Sequence, residues 1–301
     1  MLQRLSGRQS DAGLAEGFLD LNCGSLLTRG SPIVTLLHST GRREQRRRRM
    51  FPYRDENETQ RTPIFTGVLI VLNVMVWIFI QGAGSTLSLA KSICELGLIP
   101  GELTLSLPPG TRFPMGEGLA CATDPGRQIA NVLTSMFLHG SWLHMLGNMW
   151  FLWIFGNNIE DSMGHMRFIV FYLICGLAAA MAQVITSPDS AIPMVGASGA
   201  ISGVMGAYLM LFPRIRVYAL IFLGFFFTSV GMPAWVMLGY WFLIQLVSGL
   251  VSFGGEAGGV AFWAHAGGFL AGIVLIKLFI RPEYLAEHQR HHWRPRRLMY
   301  E

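Results

Sequence analysis

The chain has 301 residues, of which 51% are hydrophobic and only 14% charged, with a formal net charge of +5. A soluble domain carries about a quarter charged residues, so this composition excludes an ordinary soluble enzyme and points to a polytopic membrane protein. The positive balance calls for no nucleic-acid partner, because the arginines collect at the two ends of the apolar region, where positive-inside topology accounts for them.

In chain order, residues 1–62 read as a cytoplasmic N-terminal tail. Its first 49 residues, rich in Arg, Ser and Gly and without periodicity, are expected to be disordered. They lack the apolar core of a secretory signal peptide, and Asp11, Glu16 and Asp20 argue against a mitochondrial presequence. A second reading starts translation at Met50, where "MFPYRDENETQRTP" makes a short cytoplasmic lead-in. Both readings stand on the sequence. Residues 63–280 form the membrane domain, with six apolar spans at 64–82, 143–156, 168–186, 199–212, 234–252 and 262–280. Residues 281–301 are a basic cytoplasmic tail. An even number of crossings returns the C-terminus to the side of the N-terminus.

Between the first two spans, residues 85–130 set Lys91, Arg112 and Arg127 against Glu95, Glu102, Glu117 and Asp124. This slightly acidic loop is placed outside. If it faces an oxidising compartment, Cys94 and Cys121 are candidates for a disulfide. Cys175, in the third span, reads as a small buried hydrophobe. The stretch 217–231 is apolar but only about 15 residues long, roughly 22 Å as a helix, so it is expected to be interfacial or re-entrant.

Polar groups inside a bilayer are costly and are usually paired or functional. Three histidines fall within or beside the spans: His139 and His144 in "HGSWLHMLGN", and His265 in "FWAHAGGFLAG". Each alone has a bland reading, a ring satisfied by a nearby carbonyl. Ser198 precedes Gly199, Gly203 and Gly206, while His265 precedes Gly268 and Gly272 at three and seven residues. Small residues at such spacing let two helices approach closely, which would bring Ser198 to His265 as an activated nucleophile. The plainer alternative is a packing stripe whose serine bonds back to its own helix. His144 and Asn148 share one helical face, and both can donate to an oxyanion beside the backbone N–H of Ser198. His139, five residues before His144, reads as structural. If 217–231 crossed as a further span, His265 would move to the side opposite Ser198. The catalytic reading therefore requires that stretch to turn back.

The motifs "HGSWLHMLGN", "GASGAISG" and "HAGGFLAG", in this order, resemble the rhomboid family of intramembrane serine proteases. The resemblance implies an all-α, six-span bundle with a long first outer loop. It implies a Ser198–His265 dyad, oxyanion stabilisation by His144, Asn148 and Ser198, and support from His139, Gly196, Gly199 and Gly268. It implies cleavage of single-pass membrane proteins near the outer surface of the lipid bilayer, with entry beside the fifth span. The sequence offers no metal-ligand cluster and no Gly-rich phosphate loop attached to a strand, so no metal or cofactor is expected. A catalytically silent relative that binds membrane clients is the alternative. Two positions depart from the family pattern. Ser202 stands where many members carry an aromatic that stacks on the base, and Ala130 and Asn131 stand where a Trp-Arg pair is common. The expected location is a prokaryotic inner membrane, and nothing in the sequence sets an oligomeric state.

Overall fold

The computed structural model describes residues 3–4, 50–116, 118–126, 128–222, 227–251 and 260–292. The expectation of disorder over 1–49 lies outside these residues apart from Gln3 and Arg4, as do Glu117, Arg127 and the end of the basic tail at 293–301.

The chain runs through β1 (Gln3–Arg4), β2 (Met50–Asp55), α1 (Ile64–Met75, continued by a π-type segment over Val76–Ile80), α2 (Thr86–Leu96), α3 (Pro100–Thr104), β3 (Arg112–Gly116), β4 (Leu119–Ala122) and α4 (Asn131–Thr134). It continues through α5 (Trp142–Phe151), a π-type segment at Leu152–Gly156, α6 (Asn157–Met163), α7 (His165–Thr186), α8 (Ser198–Leu211), β5 (Arg216–Phe222), β6 (Phe227–Pro233), α9 (Ala234–Val251), α10 (Phe262–Phe279) and α11 (Pro282–His292). Among the described residues, α7, α9 and α10 are each long and apolar enough to cross a membrane, while Ile64–Ile80 and α8 are shorter apolar helices. The protein is an integral membrane protein of mostly helical structure.

The expectation of an all-α chain is corrected by two three-stranded antiparallel sheets, ordered β1-β4-β3 and β2-β5-β6. The stretch 217–231 does turn back, as the hairpin β5–β6, paired from Arg216 opposite Pro233 to Phe222 opposite Phe227. Its β-branched and aromatic composition suits a pleated pair. Within the tail expected through residue 62, Met50–Asp55 is structured. This segment is a strand on the free edge of β5, with Met50 opposite Ile221, because an unpaired edge offers backbone groups to a neighbouring chain segment.

Helix α8 is buried without a break from Ala200 to Tyr208 and packs between α7 and α10. A helix of small and apolar residues on every face has no side to offer to solvent, which suits this central place. Contact with α10 is backbone to backbone. A Cβ added at Gly206 would lie 2.2 Å from the Phe269 carbonyl oxygen, and one at Gly268 would lie 2.1 Å from that of Gly199. The buried free thiol of Cys175 packs opposite Gly203.

At the end of the bundle opposite Ser198, buried acids hold the chain together. Glu160 of α6 accepts from the backbone N–H groups of Phe65 and Thr66 at 2.9 and 2.8 Å, satisfying first-turn donors of α1 that have no partner within their own helix. Asp161 accepts from the N–H groups of Gln60 and Arg61, both at 3.0 Å, and meets His288 of α11 at 2.6 Å. Part of the basic tail is thereby a docked helix.

Asp55, at the end of β2, accepts from the Tyr208 hydroxyl at 2.6 Å and from Asn158 Nδ2 at 2.9 Å. Burial raises its pKa from 3.8 to about 7, against the opposing effect of the Tyr208 hydrogen bond. The folded protein keeps a proton that the unfolded chain releases above about pH 4. Asp55 therefore subtracts stability as pH rises through that window, and the loss levels off above about pH 7. Asp55→Asn, which stays neutral, should raise the thermal midpoint over wild type progressively from pH 5 to about pH 7 in detergent, with a constant margin above that. Parallel midpoint curves for the two proteins would refute this.

Candidate active site

The returning β5–β6 hairpin makes α8 and α10 begin at the same end of the bundle, and their first turns meet. Ser198 Oγ lies 2.8 Å from His265 Nε2. The other ring nitrogen, Nδ1, lies 2.8 Å from Gln245 Oε1 on α9, and the Trp241 ring sits one turn earlier on that helix, 5.8 Å from the imidazole centroid at 42°. Sequence reasoning missed Gln245 and Trp241. The available signal was a lone amide in an otherwise apolar span, which is costly unless paired.

Ser141 caps α5 by accepting the His144 N–H at 3.1 Å. The Gly140 N–H donates to His144 Nδ1 at 3.3 Å, which leaves Nε2 as the protonated nitrogen of a neutral ring. That Nε2 points at Gly196, where an added Cβ would lie 2.9 Å from it and 3.4 Å from Ser198 Oγ. Gly196 has φ +130°, so both its conformation and its neighbours require glycine. Asn148, one turn along α5, is buried with an Nδ2 that bonds no protein atom among the described residues. His144, Asn148, Ser198 and His265 line one cavity of about 430 Å³, and none of its lining residues is a carboxylate.

His139 lies outside that lining. Its backbone exchanges two hydrogen bonds of 2.8 Å with the side chain of Gln81, which joins the approach to α5 to the end of the first apolar helix. Its buried ring meets that of His144 edge-on, with centroids 5.2 Å apart. Gln81 is a second amide that sequence reasoning passed over.

Gly199 sits between Ala179 and the start of α10, and Gly268 faces the Gly199 carbonyl. Ser202 donates to the Ser198 carbonyl oxygen at 2.6 Å. Asn131 is buried and donates to the carbonyls of Glu95 and Gly97 at 3.2 and 3.1 Å, which fastens α4 to the end of α2. Cys94 and Cys121 are bonded to each other, joining α2 to β4. The same connection reaches the site through Leu98, which exchanges backbone bonds of 3.1 and 2.7 Å with Met194, just before Gly196.

The Rhomboid domain family matches residues 126–282 of the chain, from the approach to α4 through α10. RHOMBOID-like protein 5 of Arabidopsis thaliana is 31% identical over 163 residues, 51% of this chain and 45% of that protein. Rhomboid protease GluP of Bacillus subtilis is 31% identical over 170 residues, 54% of this chain and 32% of that protein. The mitochondrial presenilin-associated rhomboid-like protein of Bos taurus is 34% identical over 102 residues, 33% of this chain and 27% of that protein. The matched region spans less than half the length of each of these relatives. With the Rhomboid domain match covering more than half of its residues, the chain belongs to the rhomboid family.

Proposed function

We propose that the chain is an intramembrane serine endopeptidase that cleaves single-pass membrane proteins by a Ser198–His265 dyad. The observation that carries this reading is the 2.8 Å contact of Ser198 Oγ with His265 Nε2 inside a cavity that also holds the donors of His144 and Asn148. His265 Nε2 takes the hydroxyl proton as Oγ attacks the scissile carbonyl carbon. The oxyanion accepts from Asn148 Nδ2, from His144 Nε2–H and from the backbone N–H of Ser198 at the start of α8. Collapse expels the amine, which receives the proton from His265, and water then hydrolyses the acyl-enzyme. The peptide must be extended at the scissile bond, so targets carry helix-weakening Gly or Ser beside the membrane surface.

The reading includes six crossings within residues 63–280, with the α5–α6 run as the second. It places the α1–α5 connection outside and both termini on the cytoplasmic side, on the strength of the arginine-rich flanks. A prokaryotic inner membrane is the proposed location, and no cofactor is required.

Reconstitution with a single-span reporter carrying a Gly-rich outer juxtamembrane segment, alongside labelling by a serine-directed fluorophosphonate, tests the proposal. Cleavage together with labelling that Ser198→Ala removes is the expected result. Neither labelling nor cleavage would instead favour the silent, client-binding relative. Asn148→Ala should lower kcat about 10²- to 10³-fold, as loss of one oxyanion donor does, with KM little changed. An equal rise in KM with kcat unchanged would assign Asn148 to ground-state binding.

A further inference from the structure

We infer that Gln245 is a positioning residue for the base, and that α9, through Gln245 and Trp241, sets the tautomer and orientation of His265. This rests on the dyad reading above. For Ser198 to give its proton to Nε2, that nitrogen must be bare, so the single proton of the neutral imidazole belongs on Nδ1. A buried N–H there needs an acceptor, and Gln245 Oε1 lies 2.8 Å away. The two contacts of the ring, to Ser198 and to Gln245, agree on one tautomer.

Two neighbouring polar groups of the cavity are engaged elsewhere. Ser202, one turn along α8 from Ser198, spends its hydroxyl on the Ser198 carbonyl oxygen. His144, the other titratable side chain of the cavity, has its Nδ1 on Gly140 and its Nε2 at Gly196. Trp241, four residues before Gln245 and thus on the same stripe of α9, sets its ring 5.8 Å from the imidazole centroid at a tilt of 42°. Gln245 is 8% exposed on a helix whose Trp235, Tyr240, Leu243, Val247 and Leu250 are open to the surroundings. The base is therefore oriented from the span with an extensive exposed apolar face. Movement of α9 away from α10 removes the acceptor from Nδ1, which couples the readiness of the dyad to the position of that helix.

Gln245→Met, close in shape but without the acceptor, should lower kcat roughly 10- to 100-fold with KM unchanged, as loss of a partner that orients a histidine does. Gln245→Glu keeps the acceptor and should restore most of the rate. Its carboxylate favours the imidazolium, so the acidic limb of kcat/KM should move to higher pH. Wild-type kcat and an unchanged pH profile in Gln245→Met overturn the inference. ¹⁵N NMR of the His265 ring reads the same point without any substrate. The Nδ1–H tautomer is expected in wild type and in Gln245→Glu and should be lost in Gln245→Met, while an Nε2–H ring in wild type overturns the inference. Failure of wild type to cleave or label would sink the protease reading, and the ring tautomer would still decide the role of Gln245.

Discussion

Ser198→Ala and His265→Ala should each lower reporter cleavage by about 10⁴-fold or more, and the double variant should be no slower than either single one. The magnitude and the non-additivity share a cause. Oγ without the base is a neutral alcohol, and the base without Oγ has no proton to take, so each half is nearly worthless alone. Neither substitution should disturb the fold. Ser198 opens α8 rather than filling its core, and the helix seam is made by Gly199, Gly203, Gly268 and Gly272. Initial rates in liposomes at matched protein, with thermal midpoints beside them, make the measurement. A Ser198→Ala protein that cuts at the wild-type rate reduces Ser198 to a packing residue, and a His265→Ala protein that does so removes the base from the mechanism.

What was legible in the sequence divides along physical lines. Small residues at helical spacing let two helices approach closely, which offered the pairing of Ser198 with His265 beside the plainer reading of a packing stripe. His144 and Asn148 were readable as one face for the same reason of period. The hairpin β5–β6 was read correctly in its effect, a return to the same side. It was misread in its form, because length and hydropathy do not separate a short apolar helix from two paired strands. Strand β2 was hidden for a deeper reason. Its partner β5 lies more than 150 residues along the chain, and no local pattern in "MFPYRD" states that an edge is waiting for it. Gln81 and Gln245 were missed because an amide among apolar residues signals only that a partner exists. Which partner it is depends on the tertiary placement of His139 and His265.

Gly272→Ala should cost about 10²-fold in cleavage rate and lower the thermal midpoint, although it adds a single methyl group seven residues from His265. The new Cβ would lie 1.9 Å from the Gly203 carbonyl oxygen, 2.6 Å from its carbon and 2.8 Å from its Cα. All three atoms are backbone, so no rotamer change relieves the clash. A comfortable carbon–oxygen contact needs about 3.3 Å, so α10 must move away from α8 by more than about 1 Å. The Ser198–His265 hydrogen bond, now 2.8 Å, then opens beyond useful range, and a misplacement of this size costs about 10²-fold in a positioned reaction. Overpacking of this kind costs about 1–3 kcal/mol, more than the 0.5–1 kcal/mol that Ala gains over Gly within a helix. Gly239→Ala on α9 separates the two effects, because nothing lies within 4 Å of its Cβ position and only the helix gain remains. It should hold or raise the midpoint at the wild-type rate. If Gly272→Ala behaves like Gly239→Ala, the α8–α10 seam yields at no cost and cannot be what holds the serine against its base.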